Sequence, residues 1–194
     1  MGRIVYVMGK SSSGKDTIYK ALLANKELAL SPVVLYTTRP IREGERDGVE
    51  YHFTDEAGKN LLEEAGKVIE SRTYHTVHGD WTYFTSSEGI DLAAGDYAVI
   101  GTPESYVKVR DYYGDDKVLP IYIELDDGVR LQRALDREKK EEAPKYKELC
   151  RRFLADSEDF SEEVLGTLGL ERRFYNDNLD LCIAQITEYI FEKK

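Results

Sequence analysis

Four short apolar runs, at residues 3–8, 33–36, 96–101 and 118–125, punctuate a chain whose intervening stretches space their apolar side chains in helical patterns. Runs of this length bounded by polar residues predict buried strands, and the stretches between them predict amphipathic helices. Their alternation predicts an α/β fold around a central parallel sheet. The end of the chain carries its own start signal, Asn178 as an N-cap, with Leu179, Ile183, Ile186 and Ile190 following at helical spacing. This predicts a terminal helix facing the core. With no repeat and no flexible linker, a single domain is expected, its core formed by residues 1–36, 89–125 and 161–194.

Two excursions interrupt that core. Residues 37–88 are far longer than a crossover helix requires, and an insert of this length usually has a function. They contain Tyr51-His52-Phe53, a helix-like segment at 55–65 and a strand candidate at Trp81-Thr82-Tyr83-Phe84, enough for a small folded lobe. Residues 126–160 are charged and helical in pattern, as expected of a lid.

The first run ends in Gly9, Lys10, Ser11, Ser12, Ser13, Gly14, Lys15, Asp16 and Thr17, and a helical pattern begins at Ile18. G-x-x-x-x-G-K between a strand and a helix is a phosphate cradle. Small residues let backbone N–H groups wrap around phosphate oxygens, the helix N-terminus adds its positive end, and Lys15 reaches the β and γ phosphates. A parallel sheet presents ligands at the carboxyl ends of its strands, where this loop emerges.

Charge narrows the partners. With 27 basic and 37 acidic side chains the net charge is −10, which argues against broad contact with nucleic acid or an anionic membrane and requires any anion to be met locally. No apolar stretch approaches the roughly 20 residues of a membrane span, and the chain reads as cytoplasmic. Cys150 and Cys182 lack metal-ligand spacing and read as buried thiols. Of the histidines, His52, His75 and His78 have no ligand-like partners and read as packed or solvent-facing.

Local anion contacts are available in two places. Arg39 and Arg42, three residues apart and held by Pro40, suit a phosphate clamp because guanidinium groups grip phosphate bidentately, and Tyr51 can add a phenolic donor. A solvated loop paired with Glu43, Glu45 and Glu50 is the alternative. In the lid, Arg130, Arg133 and Arg137 fall at i, i+3 and i+7, which predicts three cations on one helical face, with Arg151 and Arg152 on a later helix; an exposed, Glu-paired helix is the alternative. Glu70 is a carboxylate able to accept two hydrogen bonds, as guanine's N1–H and amine would supply and adenine's edge would not; a surface glutamate is the alternative.

In this order, loop, clamp, glutamate and basic lid resemble the guanylate kinase family of P-loop nucleoside monophosphate kinases. The segment T-T-R-P-I-R-E-G-E-R-D-G-V-E-Y-H-F carries the likeness most specifically. The resemblance implies a P-loop NTPase fold with an inserted monophosphate-binding lobe and a helical lid. It also implies ATP as co-substrate with Mg²⁺, and small nucleotides as partners. Arg39, Arg42, Tyr51 and Tyr83 would hold the acceptor's phosphate, with Glu45 orienting the clamp; Glu70 and Thr85 would read the base, and Thr102 joins the substrate-binding set. Lys15, Arg133, Arg137 and Arg152 would be catalytic, and Asn176, in N-D-N-L-D, would lie beside the ATP base.

Four positions depart from the family pattern. Leu35 stands where the family has a serine donor to the base, Gly101 and Thr102 stand in a strand end that is acidic in the family, and Asp16 replaces the hydroxyl ligand of Mg²⁺, leaving the metal to Asp16, to Thr17 or largely to water. G-K-D-T and I-G-T are similar to ribose 1,5-bisphosphate phosphokinases. The leading expectation is ATP-dependent phosphorylation of GMP or dGMP. Its alternatives are a kinase of a phosphorylated sugar and a non-catalytic phosphopeptide-binding module.

Overall fold

A computed structural model describes residues 2–76, 79–170 and 172–193; His78 lies outside them. The first strand, β1 (Ile4–Met8), is buried along its whole length. Its residues alternate between two cores, Val5 and Val7 facing one and Ile4, Tyr6 and Met8 the other, as the period of two in a strand requires. Each such side chain withdrawn from water contributes about 1.5–3 kcal/mol, so changes in β1 alter stability before they alter chemistry. Helix α1 (Lys15–Ala24) follows, burying Ile18 and Leu22, and then β2 (Leu30–Pro32).

The chain next leaves the core. β3 (Tyr36–Thr37), β4 (His52–Phe53), helix α2 (Glu56–Glu64), β5 (Val68–Thr76) and β6 (Gly79–Ser86) follow, the strands forming a second sheet in the order β4-β3-β6-β5. Asp55 caps α2 by accepting the Gly58 N–H at 2.8 Å. The chain returns to the core through β7 (Asp96–Gly101), α3 (Pro103–Tyr113) and β8 (Val118–Glu124). Helices α4 (Asp127–Glu138), α5 (Tyr146–Asp159) and α6 (Glu162–Thr167) come next, followed by β9 (Arg173–Tyr175) and α7 (Leu179–Glu192).

The core sheet is parallel throughout, in the order β2-β7-β1-β8-β9. Helices α1 and α7 cover one face; α3, Phe160 and Leu165 cover the other. The α/β class expected from the run pattern is therefore present. Among the described residues no helix is long and apolar enough to cross a membrane.

Four expectations need correction. The run at 33–36 is not the second core strand: that strand is Leu30–Pro32, at the edge of the sheet where a proline is tolerated. Val33 and Leu35 are apolar because they pack against the second core as the chain crosses to the insert. Leu179 is 39% exposed, and Cys182 takes the inward position with Ile186 and Ile190. Cys150 is exposed, not buried; Cys182 is buried. Finally, Arg130 does not share a face with Arg133 and Arg137: it is only 1% exposed and sinks beside Ala134, whereas the other two are exposed. Asn178 does cap α7, accepting the Leu181 N–H at 3.0 Å.

Candidate active site

The phosphate loop joins β1 to α1 at the carboxyl end of the sheet. A Cβ on Gly9 would lie 2.7 Å from Ser13 Oγ and 2.8 Å from the Ile123 carbonyl, and Gly14 has φ 90°, so both glycines are required by the backbone. Gly14 gives α1 no side-chain cap. The helix's first N–H groups are thereby left for an anion.

The loop is fastened from three other segments. Asn176, just after β9, donates Nδ2 to the Ser13 carbonyl at 2.7 Å in a buried contact. Arg130 of α4 donates to the Ser11 carbonyl at 3.0 Å, while Asp156 of α5 accepts the Ser11 N–H at 2.8 Å. Arg130 is itself held by Asp127 at 2.7 Å and by Asp156 at 3.6 Å, with its guanidinium 4.8 Å above the Phe153 ring. Lys10 pairs with Asp127 at 3.2 Å, and Arg137 reaches Ser12 Oγ at 3.4 Å. Lys15 Nζ lies 3.5 Å from the Asp16 carboxylate.

A cleft of about 240 Å³ opens beside the loop, lined by Ser11, Ser12, Lys15 and Asp16 and, from the lid, by Arg137, Glu148 and Arg152. A larger one, about 670 Å³, lies between insert and core. Tyr51, Glu70, Arg72, Tyr83 and Thr85 line it from the insert, Leu35 from the crossing segment, and Tyr6, Gly101 and Thr102 from the core. The two clefts share Glu148 and Arg152. Glu148 accepts Arg151 Nε at 2.7 Å and Arg152 Nε at 2.8 Å, and these partners, Arg151 foremost, bring its carboxyl down to about 2.

The clamp arginines do not line either cleft. Arg39 is 3% exposed and makes a two-pronged pair with Glu45, at 2.7 and 2.6 Å, with its guanidinium 5.1 and 5.3 Å from the centres of the Tyr51 and Phe53 rings. Glu45 also accepts the Arg42 N–H at 2.9 Å, and the pair with Arg39 lowers its carboxyl to about 2. Arg42 lies 5.8 Å from the centre of the Trp81 ring. Tyr51 and Tyr83, packed edge to face at 5.6 Å, carry this corner into the cleft.

A register shift between Val68 and Glu70 sets Glu70 opposite Thr85. Such a bulge re-aims a side chain, and Thr85 Oγ1 donates to Glu70 at 2.6 Å. Thr102 caps α3 and accepts Arg72 Nη2 at 2.6 Å. At Gly101 a side chain would overlap the Tyr6 hydroxyl, which bonds Ser105 Oγ at 2.6 Å. Burial pushes that phenol well above its ordinary pKa.

The other expected residues sit elsewhere. Arg133 and Thr17 are exposed and line neither cleft, and Asn176 meets the loop from behind. His52 packs on Tyr36, and exposed His75 pairs with Asp80 at 2.7 Å. Arg72, Asp156 and Glu148 were not singled out from sequence. Glu148 had a signal in its i, i+3 and i, i+4 arginines; Asp156 had none, its partner being 145 positions away.

Known proteins similar to this chain are guanylate kinases. A family model described as guanylate kinase matches residues 1–92. A guanylate kinase of Neisseria gonorrhoeae is 41% identical over 100 residues, which cover 51% of this chain and 46% of that protein. One from Porphyromonas gingivalis is 26% identical over 198 residues, covering 98% and 97%.

Over residues 1–92 the chain is similar to the guanylate kinase family. A crystal structure of guanylate kinase from Anaplasma phagocytophilum superposes with a TM-score of 0.63 at 19% identity, over 99% of this chain and 86% of that one, and so shares the fold. The chain spans about half the length of the Neisseria relatives it matches. The part of the chain matched by the family model holds the loop, the clamp, Glu70 and Thr85; Thr102, the lid arginines and Asn176 fall outside it.

Proposed function

We propose that this protein transfers the terminal phosphoryl group of ATP to GMP or dGMP, giving the diphosphate, in the cytoplasm. The observation that carries the reading is the meeting of the two clefts at Glu148 and Arg152. A donor phosphate seated on the loop and an acceptor seated in the larger cleft would approach each other there.

In this reading the loop N–H groups and Lys15 bind the donor, and Arg137 and Arg152 neutralise charge on the group in transfer. Catalysis then rests on positioning and preorganised charge. The acceptor's phosphate lies against Tyr51 and Tyr83, with Arg39, Arg42 and Glu45 fixing that corner, while Glu70 and Thr85 face the base and Thr102 holds the far wall. Residues 37–88 act as the acceptor lobe and 126–160 as the lid, whose closure excludes water. Asn176 and Lys10 position the loop. Mg²⁺ bound with ATP would balance phosphate charge, and of the two sequence candidates Asp16 suits it better, since a carboxylate at the cleft is the usual protein share of a Mg²⁺ shell and Thr17 does not line the cleft.

The relatives do not favour a sugar-phosphate kinase or a binding module. A coupled assay with ATP, Mg²⁺ and GMP, dGMP, AMP, UMP, CMP or ribose 1,5-bisphosphate tests the reading. Turnover of the guanine nucleotides above all others is expected. No turnover on any monophosphate overturns it.

A further inference from the structure

Glu70 and Arg72 are two residues apart on β5, so their side chains leave the same face of the strand about 6–7 Å apart. Both line the larger cleft. Arg72 is only partly committed. Nη2 donates to Thr102 Oγ1 at 2.6 Å and to Glu104 at 2.8 Å, whereas Nε and Nη1 have no hydrogen-bond partner among the described residues. The two contacts hold the guanidinium at the cleft wall without using up its donors. Leu35, on the same cleft, has no donor to offer.

We infer that Arg72 is a base-reading residue, presenting its free donors to the O6 and N7 acceptors of a guanine whose N1–H and amine are taken by Glu70. The inference rests on the guanine nucleotide reading above. Its chemistry is that of arginine on guanine: a planar fork of donors matches the O6/N7 pair, whereas adenine places an amine where O6 would be. Glu70 and Arg72 then read two adjacent edges of the purine, the carboxylate the N1–H and amine, the guanidinium O6 and N7. A purely structural tie of β5 to α3 through Thr102 and Glu104 is the competing role.

Equilibrium binding of GMP and 7-deaza-GMP, in which N7 is replaced by C–H, separates the two. It is measured on the full chain, native, with Arg72→Met, and with Glu104→Gln, which loosens the tie and keeps the guanidinium. The native protein is expected to prefer GMP by about tenfold, the order of one good guanine contact. That preference should fall to about one in R72M and persist in E104Q. Equal native affinities would overturn the proposal, as would an R72M variant that weakens both ligands by the same factor. If R72M does not fold, the native and E104Q ratios still decide. Native protein that binds no GMP would overturn the underlying reading as well, which distinguishes that failure from a flat GMP to 7-deaza-GMP ratio.

Discussion

The Asp156 carboxylate of α5 accepts the backbone N–H of Ser11 in the phosphate loop at 2.8 Å, and it also faces the buried Arg130 guanidinium at 3.6 Å. Hydrogen bonds to charged groups are worth about 1.5–3 kcal/mol. Asp156→Ala is therefore expected to lower unfolding free energy in urea by about 1–3 kcal/mol and to raise the KM for ATP, while Asp156→Asn, which keeps an acceptor, should do less of both. An unchanged ATP KM in D156A would show that the loop holds its shape without α5.

Arg152 is exposed and among the described residues pairs only with Glu148, yet it lines both clefts. Arg152→Ala should lower kcat by about 100-fold, the scale of losing one preorganised charge contact in a transition state. The KM values and the thermal midpoint should move little. Steady-state kinetics and a melting curve check this; a rise in KM with kcat intact would assign Arg152 to ground-state binding.

The Arg39–Glu45 pair predicts a pH signature. Glu45 goes from an ordinary 4.5 to about 2 on folding because Arg39 donates to both its oxygens. A carboxyl depressed by folding adds stability above its unfolded pKa and loses it as pH falls through the folded one. Native protein and Glu45→Gln should differ most in thermal midpoint above about pH 4.5 and converge toward pH 2. A difference constant across that range would point to packing instead of charge.

Gly101 has no room for a side chain beside Tyr6 and Ser105. Gly101→Ala should cost about 1–3 kcal/mol, as overpacking does. Because the crowding groups include the Tyr6 hydroxyl, Tyr6→Phe combined with G101A should cost less than the sum of the two single changes. Additive costs in urea unfolding would rule that contact out as the cause.

Much of this was legible in the chain because the signals were local. The loop's glycines, the runs at β1, β7 and β8, and the cap Asn178 each announce themselves within a few residues. Arg130 misled because periodicity assigns arginine to the solvent, whereas here Asp127, Asp156 and the Ser11 carbonyl together make burial tolerable. The 33–36 run misled for a related reason: apolar residues mark burial, and a crossing segment can be buried without being a core strand. β9, three residues long, carries too short a pattern to read.

The sheet order has a consequence for how the chain acquires its shape. β1 occupies the middle of the core sheet, and both neighbours, β7 and β8, arrive after residue 95. A growing chain that has released the loop and the clamp therefore still carries β1 with two open edges. Such long-range parallel pairing makes folding slow and leaves apolar edges exposed while it waits. The phosphate loop is made before its fastenings at Arg130, Asp156 and Asn176, so its shape is fixed only after those later segments arrive.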